Sequence, residues 1–150
     1  MKRELILFGG VVLSALLWSF MLAYVGERFS YTSLDQDVGM IAFHETAHNL
    51  VTSFSFSSED ALFAGSFRRP PAYPVLLALG YAFFGEHLWV VWSLHLVLWV
   101  LALLLLWRIS RRFLEGAYAL LPPLLFGLWW GVSAQVFVMS PEILAIFTLL

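Results

Sequence analysis

The stretch Phe43-His44-Glu45-Thr46-Ala47-His48 carries the pattern His-Glu-x-x-His. On a helix, His44 and His48 stand one turn apart, so two imidazoles could bind one zinc ion while the Glu45 carboxylate takes a proton from zinc-bound water. That is the chemistry of peptide-bond hydrolysis, and it needs a third ligand and an open fourth position. Glu59, Asp60 and Glu86 are the candidates for the third ligand, but none belongs to a second helical motif. A peptidase also needs a substrate-binding strand and a cleft, which segment 26–69 is too short to supply. Two other readings of the motif stand beside the membrane zinc peptidase: a bare metal-binding pair, and two histidines on the wet face of a helix.

The elements that must position these residues follow from composition. The chain is 61% hydrophobic and 12% charged, with a mean hydropathy of +0.87, against roughly 45–50% apolar and 25% charged for a soluble domain. That is the composition of an all-α polytopic membrane protein. A helix needs about 20 apolar residues to cross a hydrocarbon core about 30 Å thick. Leu5 to Val25 is one such run. Leu88 to Trp107 is a second, with only His95 as a titratable group, and Ala117 to Met139 is a third, interrupted by Pro122-Pro123. A fourth apolar stretch begins at Ile143 and is cut off at Leu150, so residues 1–150 are expected to form one transmembrane domain that is the N-terminal portion of something longer. Leu5 to Val25 exceeds the usual signal-peptide core of about 7–15 residues and lacks a small-x-small cleavage site, which favours a signal anchor. The chain has no cysteine, which excludes a disulfide framework and a thiolate metal site.

Basic residues accumulate on the cytoplasmic side of membrane helices. Lys2 and Arg3 precede the first run, and Arg108, Arg111 and Arg112 follow the second. Both places are therefore expected in the cytoplasm. Segment 26–69, richer in acids, reads as lying on the outer side. An odd number of crossings must then separate residues 69 and 108. Val75 to Phe84 is too short to span, so Pro70 to Gly85 is expected as a helix in the outer interface with Tyr73 and Tyr81 at headgroup depth. Within the long outer loop, residues 38–54 have a helical pattern, with Phe43, Ala47 and Leu50 on one face and Ile41, Glu45 and His48 on another. Phe54, Phe56, Phe63 and Phe67, interleaved with serines, suggest a loop resting on lipid.

Several features occur in a fixed order: the acids Asp35 and Asp37 after the first span, a short helix, Arg69-Pro70-Pro71-Ala72-Tyr73-Pro74 leading to Phe84-Gly85, and Glu142 after Ser140-Pro141. The succession resembles the N-terminal part of the GT-C glycosyltransferases, polytopic enzymes that include the protein O-mannosyltransferases and the bacterial aminoarabinose transferases acting on lipid A. The resemblance runs over nearly the whole chain, with the segment from Arg69 to Gly85 its most specific piece. It implies a fold of membrane spans with interfacial helices in the first outer loop. It also implies an activity: movement of a sugar from a polyprenyl-phosphate donor to an acceptor at the outer face. The essential acid of the family maps onto Asp37 or Asp35. Phe43 lies farther from Asp37 than the family spacing between acid and aromatic residue, so both acids stay open, with Asp37 preferred.

Such a transfer needs a carboxylate to accept the acceptor's proton and a cation to steady the departing phosphate. Asp37 or Asp35 would be the base. Arg68 and Arg69 would grip the phosphate with bidentate contacts, or else simply reach toward lipid headgroups. Tyr73 and Glu142 complete the expected substrate-binding set, although Glu142 also suits the first turn of any helix. His44 and His48 are the ligands available to a divalent metal ion, the one cofactor considered. His95 and Gln135 are expected as helix-packing residues. The expected partners are the lipid-linked sugar donor and membrane lipids, not nucleic acid. A non-catalytic membrane component is the reading outside the enzyme class.

Overall fold

The computed structural model describes residues 2–25, 38–56, 71–133, 136 and 141–149. Among the described residues every regular element is a helix: α1 (Lys2–Val25), α2 (Val38–Ser53), α3 (Ala72–Phe84), α4 (Leu88–Ser110), a 3-10 turn (Gly116–Leu120), α5 (Leu121–Leu128), α6 (Trp130–Ser133) and α7 (Glu142–Leu149). The candidate residues Asp35, Asp37, Glu59, Asp60, Arg68, Arg69 and Gln135 lie outside the described residues.

Helices α1 and α4 are long and apolar enough to cross a membrane. With 24 and 23 residues, each is about 35 Å long at 1.5 Å per residue. They are antiparallel. Phe8 near the start of α1 stacks on Trp107 near the end of α4, ring centroids 4.4 Å apart and 11° from parallel. Beside them Arg111 Nη2 stands 3.5 Å from Glu4 Oε2, and its guanidinium lies 5.4 Å from the centre of the Trp107 ring. Lys2 and Arg3 therefore share one end of the molecule with Arg108, Arg111 and Arg112. Leu5, Ile6, Leu13, Leu17 and Phe20 of α1 remain exposed, as expected of a helix that is apolar on every face and has protein on only one.

Helix α5 packs against both α1 and α4. Its approach to α1 depends on glycine: a Cβ at Gly127 would sit 2.7 Å from the Ala15 Cβ and 3.4 Å from Leu103 Cδ2. The third apolar stretch differs from the expected span 117–139. Pro122 and Pro123 occupy the first positions of α5, where a missing N–H costs nothing and the fixed φ suits a helix start. The prolines thus begin the helix instead of interrupting it. The break falls at Trp129, whose backbone is extended with φ −68° and ψ 113°. Ser133 Oγ donates to Gly127 O at 2.6 Å, satisfying a carbonyl at the end of α5.

The helix expected over 70–85 is present as α3, and it is packed against its neighbours. Helix α3 turns directly into α4 through Gly85, whose φ of +81° is open to glycine and whose N–H bonds Tyr81 O. The two helices then run antiparallel in contact, with Gly80 so close to α4 that a Cβ there would lie 2.8 Å from Leu94 Cδ1 and 3.0 Å from Val90 Cγ1. Tyr73 and Tyr81 point inward and are buried, at 0% and 3% exposure. The outward face of α3 instead carries Val75, Leu79 and Phe83. Helix α2 lies on this hairpin and makes its broadest contact with α3.

Candidate functional site

The site is built where α2, α3 and the first turns of α4 meet, near the end of α4 opposite its arginines. Phe43 and Ala47, one turn apart, bury the apolar face of α2 against Tyr73, Leu77, Tyr81, Val90 and Val91. Tyr73, Leu77 and Tyr81 recur every four residues, which stacks them on one face of α3. Near the helix starts, the Phe43 and Tyr73 rings meet edge to face at 5.0 Å and 88°.

With the apolar face of α2 turned inward, its two histidines fall along the seam with α3. His44 Nδ1 is 3.3 Å from the Tyr81 hydroxyl, and the two rings are 5.6 Å apart. His48 Nδ1 is 2.6 Å from Glu86 Oε1 in the turn after α3. A carboxylate oxygen accepts, so Nδ1 of His48 carries the proton and its Nε2 is left as an acceptor while the ring is neutral. The Glu45 side chain has one oxygen, Oε2, that is buried and has no hydrogen-bond partner among the described residues.

A second polar contact lies deeper. The Tyr73 hydroxyl is 2.8 Å from His95 Nε2, and His95 Nδ1 is 3.2 Å from Val136 O. A carbonyl cannot donate, so Nδ1–H donates to Val136 and the Tyr73 hydroxyl donates to Nε2. The contact fixes one neutral tautomer and ties α3, α4 and the chain after α6 together. Burial, with the charges of Tyr81 and Glu142 adding to it, pushes the Tyr73 phenol well above the ordinary tyrosine range. Burial, then the Glu86 charge, does the same to Tyr81. Both hydroxyls therefore stay protonated and available as donors.

Of the expected substrate-binding residues, Tyr73 is an internal hydrogen-bond donor with no exposed surface, and Glu142 stands exposed in the first turn of α7. Leu144, two residues on, packs against the Phe43, Tyr73 and Tyr81 cluster, so the start of α7 belongs to the same region. His44 and His48 do stand together, ring centroids 6.4 Å apart. A zinc peptidase would need a third ligand from nearby, and among the described residues no three His, Asp or Glu side chains are grouped to hold a metal ion. Glu86, one of the candidates, is engaged with His48 Nδ1 instead. Among the described residues, therefore, His44 and His48 are not joined by a third ligand.

The sequence reading did not anticipate Tyr81 as a partner of His44, or His95 as a partner of Tyr73. The signal for the first was the spacing Tyr73-Leu77-Tyr81, a stripe that marks one buried face. The signal for the second was the lone histidine in an apolar helix, which requires a partner somewhere. No protein-family model, no curated protein and no solved structure matches this chain.

Proposed function

We propose that this chain is part of a membrane glycosyltransferase of the GT-C kind, which moves a sugar from a polyprenyl-phosphate donor to an acceptor at the outer face. The observation that supports this most is the Phe43–Tyr73 contact at 5.0 Å. It joins the early turns of α2 and α3. Asp35 and Asp37 directly precede α2 in the chain, and Arg68 and Arg69 directly precede α3. The acids and the arginines are thus sequence neighbours of two helices in contact, and Leu144, close after Glu142 in α7, packs against the cluster that contains Tyr73. A carboxylate to accept a proton and a cation to meet the phosphate are the two groups this transfer requires.

In this reading α1 and α4 cross the membrane, the shared basic end is cytoplasmic, and the α2–α3 seam lies toward the outer surface. Tyr73 meets α4 at His95, seven residues from Leu88, or about 10 Å along the helix at 1.5 Å per residue. In this reading the α3–α4 hairpin reaches into the upper part of the membrane.

The test is sugar transfer by the protein in vesicles supplied with polyprenyl-phosphate sugars. Asp37→Asn should abolish transfer while the protein stays folded, since the amide keeps the shape and cannot accept a proton. Glu45→Gln should leave most of it. If Glu45→Gln removes an activity that survives both Asp37→Asn and Asp35→Asn, the transferase reading is wrong.

A further inference from the structure

The end of the molecule opposite the α2–α3 seam gathers the cations of α1 and α4. Arg111 meets Glu4 there at 3.5 Å, and its guanidinium lies 5.4 Å from the centre of the Trp107 ring, which Phe8 backs. Arg111 is thus held between the two long helices. Arg3, Arg108 and Arg112 are exposed, and among the described residues no carboxylate stands within ion-pair distance of any of them. We propose that this end is a docking surface for an anionic phospholipid, whose phosphate is gripped by Arg108 and Arg112 and drawn in by Arg3. The proposal rests on the reading in which α1 and α4 cross the membrane, and it is independent of sugar transfer.

Three observations carry it. The chain goes on turning past the end of α4, with Arg112 N–H bonded to Ile109 O and Leu114 N–H to Ser110 O, so Arg108 remains a neighbour of Arg111 and Arg112, three and four residues on. With Arg111 drawn to Glu4, Arg108 and Arg112 are left side by side as like charges. A phosphate relieves their repulsion, because it offers acceptor oxygens to both guanidinium forks. The surface beside the cations is apolar: Leu5, Ile6 and Leu7 follow Arg3 and are exposed, as are Phe113, Leu114 and Tyr118 after Arg112. Free phosphate, a nucleic acid or an acidic peptide would leave those side chains in water, whereas a phospholipid covers them with its acyl chains while its phosphate meets the arginines. Charge balance then selects the headgroup. Arg3, Arg108, Arg111 and Arg112 face only Glu4 and Glu115 among the described acids near this end, so cations are in excess. A zwitterionic headgroup brings a cation of its own and corrects nothing; an anionic one such as phosphatidylglycerol does.

The test is native mass spectrometry of the full chain in detergent, titrated with phosphatidylglycerol or with phosphatidylcholine of the same acyl chains. The first phosphatidylglycerol should bind about fivefold more tightly than the first phosphatidylcholine, the factor that corresponds to about 1 kcal/mol for one cation near an anionic lipid. Arg108→Gln combined with Arg112→Gln, both at exposed positions, should bring the ratio close to one. Salt gives a second measurement that needs no variant: at about 1 M, where screening acts over ~3 Å, the ratio of the parent should also fall toward one. Equal binding of the two lipids by the parent would overturn the proposal, as would a preference that survives both the double substitution and salt. Displacement of phosphatidylglycerol by inorganic phosphate or by polyglutamate at constant ionic strength would overturn the assignment to a lipid. Alkaline carbonate extraction of vesicles carrying the chain tests the underlying reading separately. A chain that is stripped from the vesicles does not cross the membrane, and the proposal falls with that reading; a chain that stays embedded but selects no lipid overturns the proposal alone.

Discussion

The Tyr73 hydroxyl meets His95 Nε2 at 2.8 Å with both side chains fully buried. The bond joins residues 22 positions apart, and His95 Nδ1 continues it to Val136 O. Tyr73→Phe keeps the ring and strands the imidazole nitrogen, which should cost about 1–3 kcal/mol. Unfolding in mixed micelles measures this. Combined with His95→Leu, the loss should be smaller than the sum of the single losses, with a coupling of roughly 0.5–3 kcal/mol. Simple additivity would show that the contact carries no energy.

Close packing at Gly127 makes a second prediction. A methyl group there would meet the Ala15 Cβ at 2.7 Å, so Gly127→Ala must push α1 from α5 at about 1–3 kcal/mol. Ala15→Gly in the same chain should restore much of the lost stability. If Gly127→Ala is neutral by the same unfolding assay, the α1–α5 contact is looser than described.

The two buried tyrosines predict alkaline behaviour. Both phenols ionise well above the ordinary value of 10.0 when folded, chiefly because burial disfavours the phenolate. An unfolded chain ionises them first, so their contribution to stability is full below about pH 10 and declines as pH rises above it. Phenolate absorbance of the parent minus that of Tyr81→Phe should therefore stay flat through pH 10 to 11 while the protein is folded. A step centred near 10 in that difference would show Tyr81 to be exposed to water.

The shared basic end of α1 and α4 bears on orientation. The chain has no cysteine, so single cysteines report cleanly. Ser53→Cys, exposed at the end of α2, should react with an impermeant thiol reagent added outside intact cells. Glu115→Cys, exposed in the turn after α4, should react only after lysis. The opposite pattern would reverse the orientation and place the α2–α3 seam in the cytoplasm.

Much of the helical framework was legible in local features. The lengths of the uncharged runs predict α1 and α4 closely, because twenty apolar residues in succession permit few other structures. The pattern from Val38 onward predicts α2, and of the face formed by Phe43, Ala47 and Leu50 the first two are buried. The grouping of Lys2 and Arg3 with Arg108, Arg111 and Arg112 at one end also follows from the positions of the charges. Less legible was the third apolar stretch, where Pro122 and Pro123 suggest an interruption and instead serve as a helix start.

What sequence by itself determined is therefore the identity and approximate length of α1 to α4 and the direction of the two long ones, since these depend on neighbouring residues and on where charge meets water. Only the tertiary structure decided which way Tyr73 and Tyr81 point, that Glu86 engages His48 across 38 positions, and that His95 bonds rather than merely packs. The reason is rotational. A helix that is apolar on every face has no stripe to set its angle about its own axis, so close approaches at Gly80 and Gly127 and a few buried hydrogen bonds settle it, and their partners are far apart in the chain.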